Sequence, residues 1–313
     1  MLRHAADARA VLFVLVALGL QLGGFVLWPV MPGWVAALWV AVACWFGWIT
    51  AVITHNIVHV PVFVHRPANR AMQLLLTVTY GHPVSAFVPG HNLSHHVHTQ
   101  TRKDVMRTTK LRFRWNFLNG ALAPLVLARD ITRSDLAYAT AMRRERPRWF
   151  RQWVLEYAVF GITQLALILI SPVAWVLFVF LPHNAGAFGI IGMNFLQHDG
   201  CDAGSRWNHS RNFVGPLINW WTFNNGFHTI HHLHPGMHWT LLREAHAREV
   251  VPHIHPALDE PNLFAYTFRA LVWPGRRLDY LGRPVVLPEE GPDESWIPGR
   301  GDTPAEVSLG AEA

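Results

Sequence analysis

Four long apolar runs, grouped in two pairs, limit what this chain can become. Residues 11–28 are 18 positions without a charge and residues 34–54 are another 21, with Pro29, Met31, Pro32 and Gly33 forming a tight turn between them. A second pair, 154–170 and 173–195, is joined only by Ser171 and Pro172. The hydrocarbon layer of a bilayer takes roughly 20 apolar residues of helix, so each pair predicts a membrane-spanning hairpin with a breaker at its bend. Composition agrees, because 51% of the 313 residues are hydrophobic and only 15% are charged, against about 25% charged in soluble domains.

The basic residues are sorted around these runs. All 26 Lys and Arg lie in segments 1–10, 55–151 and 206–313, which is the positive-inside pattern of a chain whose two hairpins leave both termini and the middle segment on the cytoplasmic side. The net charge of +6 therefore reports topology, and no nucleic-acid partner is expected. Arg3 and Arg9 ahead of an apolar run resemble a signal peptide, but no small-residue cleavage site follows, which predicts a retained first helix. Residues 72–89 and 117–128 are too short for full spans and fit interfacial or re-entrant helices. The fold class expected is all-α integral membrane: four transmembrane helices as two hairpins plus a cytoplasmic helical cap. The cap comprises segments 55–151 and 196–286, within a single domain over 1–286. Residues 287–313, rich in Pro, Gly, Asp and Glu, are expected to be a flexible cytoplasmic tail.

Histidine is the second excess, with 20 where average usage gives roughly seven. Only Cys44 and Cys201 are present, so a disulfide framework or thiolate site is excluded and any metal must be held by nitrogen or oxygen. The histidines cluster at helical spacing. His55 and His59 are an i, i+4 pair at the exit of the second run; His91, His95 and His96 repeat the pair and add a neighbour. His228, His231 and His232 supply i, i+3 and i+4, and His198 stands with Asn194 at the exit of the fourth run. The charge-derived topology places all four clusters on one side of the membrane. Nine imidazoles are too many for one ion of four to six positions, which predicts two metals. The remaining histidines, His209 among them, default to surface or supporting roles.

Imidazole nitrogens suit Fe, Zn and Cu. The chain has no HExxH, no GxSxG and no Glu-x-x-His, so the common hydrolytic and carboxylate di-iron patterns are absent. A redox-active pair beside a membrane suits oxygen chemistry on a lipid chain. The alternative from another class is a histidine-rich metal-binding or transport protein, which would carry its ligands inside the spans rather than at their ends.

The order HxxxH, HxxxHH, HxxHH around two hairpins resembles the membrane fatty acid desaturase superfamily, whose relatives include alkane hydroxylases. The likeness runs from about residue 34 to 240. It implies di-iron ligation by His55, His59, His91, His95, His96, His198, His228, His231 and His232, with Asn194 near one iron through a water. It further implies O2 as co-substrate, a fatty acyl or other lipid substrate, and electrons from a ferredoxin, rubredoxin or cytochrome b5 type donor with an NAD(P)H reductase. No GxGxxG or flavin site occurs in the chain. The segment Asn194-Phe-Leu-Gln-His198-Asp-Gly200 is similar to the NYxEHYG box of alkane hydroxylases, whereas Asn225-Gly-Phe-His228 and the residues after it look more like a bacterial acyl desaturase. Desaturation leads, with hydroxylation or oxidative decarboxylation of a fatty acid or alkane as alternatives. The location implied is the inner or plasma membrane of a bacterium.

Ligating imidazoles generally donate their second N–H to an oxygen. Asp104, Asp199 and Asn225 are candidates for that supporting role, by proximity in sequence to the clusters. His183 and Asn184 lie about ten residues into the fourth run, where polar groups are costly unless turned to the interior, and they are candidates for the end of a substrate tunnel.

Overall fold

The computed structural model describes residues 1–297. Helices dominate, and the only strands among the described residues are two of two residues each. Four helical stretches are long and apolar enough to cross a membrane: Ala5–Val30, Gly33–Ile57, Pro147–Ile170 and Pro172–His198. Each contains one of the four apolar runs and extends past it. Their bends fall at the breakers. Residues Trp28–Val30 tighten into a 3-10 turn containing Pro29, and Pro32 is extended before helix α2 (Gly33–Ile57) follows helix α1 (Ala8–Leu27). In the second hairpin Ser171 is extended, and its hydroxyl accepts from the Ala174 N–H at 3.3 Å, so it caps the helix that Pro172 opens.

The middle segment adds no further candidate span among the described residues. Helix α3 (Arg66–Tyr80) buries Met72, Leu76 and Tyr80 on one face, at i, i+4, i+8, and stops at Gly81, whose φ of 83° is left-handed. The stretch 117–128 is split between two helices, α4 (Asn116–Ala121) and α5 (Ala123–Glu145). The next helices are α6 (Pro147–Ile170) and, closing the fourth stretch, α7 (Leu181–His198).

The described chain divides into two compact units, one from 1–88 and 138–190 and the other from 89–137 and 191–297. In the first unit, small residues let backbones touch. A Cβ on Gly186 would stand 2.7 Å from the Gly47 carbonyl oxygen, and one on Gly47 would fall on the carbonyl of Pro182. This is the close helix approach that packing inside lipid favours, where no hydrophobic effect drives helices together. Glu156, a carboxylate within α6, is fully buried. It accepts from the Ser85 N–H at 2.6 Å and from the Gln152 amide at 2.9 Å, so its cost inside an apolar stretch is offset internally. The outer surface of α6 stays apolar and uncovered, with Ile162, Leu165, Leu169 and Ile170 each more than half exposed. Such a helix is stable against hydrocarbon rather than water.

The second unit has its own core of Phe227, Ile230, Leu242, Val250, Ile254 and Leu258. Beside it, β1 (Asn212–Phe213) pairs in parallel with β2 (Asp259–Glu260) over two residues. Part of the extension expected to be flexible from residue 287 is packed here. Lys110 stands 2.7 Å from both Asp130 and Asp293, Arg107 also reaches Asp293, and Trp296 is buried. Acidic side chains thus lie on the basic run that follows the second histidine cluster. The rest of the expected tail lies outside the described residues.

The backbone contact at Gly47 and Gly186 makes a contrast testable by thermal unfolding in detergent. Gly186→Val should destabilise by about 1–3 kcal/mol through overpacking, whereas Gly161→Ala, where an added Cβ meets nothing within 4 Å, should leave the midpoint unchanged or slightly raised. Equal effects at the two positions would refute the contact.

Candidate metal centre

The second histidine cluster does not sit on a regular α-helix. Residues Pro89–His95 wind as a π-helix, and one more turn runs over His96–His98. With about one extra residue per turn, i and i+5 share a face. His91 and His96 therefore converge, with Nε2 atoms 3.1 Å apart, while His95 projects elsewhere. The i, i+4 pairing of His91 with His95 expected from an α-helix is replaced by this one.

The third cluster opens helix α9 (His228–Leu233), which follows the short helix α8 (Pro216–Trp221). His228 and His232, one turn apart, share a face and bring their Nε2 atoms within 3.1 Å. His231, about 100° around the helix, instead reaches His96, again Nε2 to Nε2 at 3.1 Å. His198, the last residue of α7, places its Nε2 2.9 Å from that of His228. The adjacent pairs His95–His96 and His231–His232 each serve two groups, because neighbours on a helix cannot point the same way.

Seven imidazoles of the second unit thus sort into a group of four, His95, His198, His228 and His232, and a group of three, His91, His96 and His231. Within each, ligand nitrogens lie within 4.8 Å of one another. His55 and His59 belong to the first unit, where their rings are one turn apart at the end of α2 with centroids at 5.4 Å.

What lies behind the rings sets their tautomers. His95 Nδ1 is 2.9 Å from Asp104 Oδ2, with both side chains fully buried. Asp104 also accepts from the N–H groups of Gln100 and Met106, each at 2.8 Å. Burial pushes the Asp104 carboxyl up, but the charge and hydrogen bond of His95, with those two N–H groups, hold it below the usual carboxylate range. His198 Nδ1 donates to the His209 carbonyl at 3.1 Å. In a neutral ring, an Nδ1–H anchored to oxygen leaves the lone pair on Nε2. The His95 Nε2 is buried and meets no hydrogen-bond partner among the described residues. Burial and the neighbouring His96, His228, His198 and His95 drive the His232 pKa well below the imidazole range, which favours the neutral form of this ring.

If both nitrogens of such a pair present lone pairs, as binding a metal requires, they repel across 2.9–3.1 Å unless a cation lies among them. Imidazole nitrogens bound to one small ion at about 2.0–2.1 Å stand roughly 3 Å from their nearest neighbours. The donor set therefore fits a nitrogen-preferring metal such as iron, zinc or copper.

The other residues singled out in the sequence fare differently. Of the supporting candidates, Asp104 bonds to a clustered histidine. Asn194 is buried and donates to the Met106 carbonyl at 3.3 Å. Asp199 is turned to Arg277, whose Nε lies 2.9 Å from its Oδ2. Asn225 offers its carbonyl to the Gln197 amide at 3.1 Å. His183 is buried against Gly81, and Asn184 donates to the Phe180 carbonyl one turn back at 2.8 Å.

Sequence reasoning missed two supports. The buried Arg211 donates to the Leu196 and Asp199 carbonyls at 2.6 and 3.2 Å and so caps the C-terminal end of α7, where His198 sits. Asn212 Oδ1 accepts from the Thr229 N–H at 2.8 Å, and the Ser210 hydroxyl is 2.9 Å from that of Thr229, which fixes the turn carrying His228. An Arg after a helix end was the available signal for the first; the second depends on a chain reversal that spacing does not encode.

Removing the Asp104 carboxylate (Asp104→Ala) frees the His95 tautomer and should weaken metal binding about 10- to 100-fold, read by metal titration of the purified protein. Acid should destabilise the metal-free protein. His232 binds its proton less readily folded than unfolded, so stability present above the ordinary imidazole value near 6.5 is lost as pH falls below it. A thermal midpoint that does not fall between pH 7.5 and 5.5 would contradict this.

The fatty acid desaturase family model matches residues 29–261, about three quarters of the chain, and the match takes in every histidine cluster. No curated protein matches the chain. With the family match over most of its length, four apolar helices long enough to cross a membrane and its histidines gathered into groups fit for metal, the chain belongs to the fatty acid desaturase family.

Proposed function

We propose that the protein is an O2-dependent fatty acyl desaturase with a histidine-held pair of irons. The observation that carries this reading is the sorting of seven imidazoles, five of them buried, into two groups with converging nitrogens, in a chain of this family. The proposed ligands are His95, His198, His228 and His232 for one ion and His91, His96 and His231, completed by His55 and His59, for the other. The assignment of His55 and His59 rests on the family's HxxxH pattern. Asn194 is proposed to stand near one ion through a water, with Asp104 as the supporting carboxylate.

When bound, such a pair would supply the activation of O2 needed to attack an unactivated C–H bond. The net reaction takes two hydrogens from adjacent methylenes, together with O2, two electrons and two protons, to an alkene and two waters. The chain's own residues contribute orientation and dryness. Asp104 and the His209 carbonyl hold His95 and His198 in one tautomer, so their nitrogens need no rearrangement to bind. His91, His95, His198, His228 and His231 are each at most 5% exposed, which keeps bulk water from the site. The apolar helices suit a lipid substrate held in the membrane, and His183 and Asn184 are proposed at the end of its tunnel. The sequence carries no dinucleotide or flavin motif, so electrons are proposed to arrive from a ferredoxin, rubredoxin or cytochrome b5 type partner. The histidine clusters are proposed to face the cytoplasm, on the side marked by the basic segments.

Mass spectrometry of lipids from cells with and without the protein separates the possible outcomes. Loss of two hydrogens supports desaturation, whereas gain of an oxygen or loss of carbon dioxide would replace it with hydroxylation or decarboxylation. Activity that persists without O2, or purified protein with one iron or less, would count against the whole reading. His231→Ala should abolish turnover while the membrane fold is retained.

A further inference from the structure

Two stretches of the second unit are basic and aromatic at once. No Asp or Glu occurs at positions 105–129 or 261–278, while the first stretch carries five Lys and Arg and the second three. Among these cations stand Trp115, Phe117, Phe264, Phe268 and Trp273.

The fold brings the two stretches together. The apolar helix α10 (Leu263–Val272) buries Leu263 and Leu271 and leaves Phe264, Phe268 and Val272 exposed at i, i+4 and i+8. It packs on α4: the Asn116 amide donates to the Ala270 carbonyl at 2.8 Å, and a Cβ on Gly120 would stand 2.6 Å from Leu271. At the start of α4, Trp115 and Phe117 are exposed with their rings stacked at 4.9 Å, and Trp273 is three-quarters exposed just after α10. Large apolar side chains left uncovered on one packed pair of helices mark an interaction surface.

The charges identify the occupant. Arg269 is paired with Glu260 at 2.6 Å, but Arg114 and Arg276 are exposed and have no acidic partner among the described residues. Two copies joined through this face would bury those cations with no carboxylate in either stretch to receive them. An anionic bilayer matches both halves of the surface. Its phosphates suit the guanidinium groups, and the acyl boundary just beneath them is where Trp and Phe side chains settle. A chain with four helices fit to cross a membrane has that bilayer at hand.

We propose that this face of the second unit, α10 with the start of α4, lies in the headgroup region of an anionic bilayer. The aromatic stripe enters the acyl boundary, and Arg114 and Arg276 hold lipid phosphates. The unit that carries the two histidine groups is then held at the membrane surface by its own side chains, and not only through the chain's spans. The contact is independent of the reaction catalysed.

Nitroxide labels test the contact in full-length protein reconstituted in vesicles, with Cys44→Ala and Cys201→Ser removing the native thiols. Labels on Trp115→Cys and Phe268→Cys should be reached by O2 in preference to a water-soluble nickel chelate, and a label on Glu244→Cys, at an exposed carboxylate, by the nickel chelate. Replacing phosphatidylcholine with phosphatidylglycerol should raise the O2 preference at position 268, and Arg114→Gln together with Arg276→Gln should cancel that rise. Labels at 115 and 268 open to the nickel chelate would overturn the proposal, as would labels shielded from both reagents, the mark of a protein partner or a second copy. An O2 preference indifferent to phosphatidylglycerol would overturn the role of the arginines. The wild type gives a check free of substitutions: a photoactivated diazirine lipid should mark peptides covering 113–117 and 263–273, and marking of the spans alone would refute the contact.

Discussion

Several imidazole nitrogens pressed to within 2.9–3.1 Å of one another, where a metal would need every lone pair turned inward, are the costly feature on which this protein depends. Protonating the rings would relieve the lone-pair clash only by creating adjacent buried positive charges, and burial already drives His232 to the neutral form. The second unit meets this cost from outside the cluster. A carboxylate behind His95, a carbonyl behind His198 and a capping Arg211 at the end of α7 hold the rings where they would otherwise turn apart. Small departures from regular helix follow from the same demand: a π-turn lets His91 meet His96, and neighbouring histidines divide between two groups.

The first unit answers a different constraint. Its helices are apolar on the outside and touch through glycine on the inside, as packing in lipid requires. The Glu156 carboxylate that enters it is matched within the unit, by the Ser85 N–H and the Gln152 amide. The two units thus follow opposite rules of burial, apolar surface facing outward in one and imidazole gathered inward in the other.

Much of this was legible in the sequence. Apolar runs of 17–23 residues with at most one charge can be little else than spanning helices, and Pro29, Pro32, Ser171 and Pro172 mark bends that the structure keeps. The histidine spacing identified the clusters because ring positions on a helix repeat with its turn. Where spacing was carried too far, it failed: His91 and His95 were paired by an α-helical count that a π-turn does not obey. Asp199 is near a cluster in sequence yet turned to Arg277, since adjacency along the chain says nothing of side-chain direction. Residues 287–313 read as a flexible tail by composition, but within their described part Asp293 lies against Arg107 and Lys110.

By itself, then, the sequence determined the spans, their bends and the stock of imidazoles, because these follow from local periodicity and from the cost of exposing or burying each residue type. Only the tertiary structure decided which nitrogens meet, which tautomer His95, His198 and His209 hold and that the His209 ring, far from any histidine box, is buried against His232 with its Nε2 unpartnered. Those outcomes depend on oxygen atoms brought up from remote parts of the chain, such as the Arg206 carbonyl behind His209 and Asp104 behind His95, and no pattern of spacing carries that information.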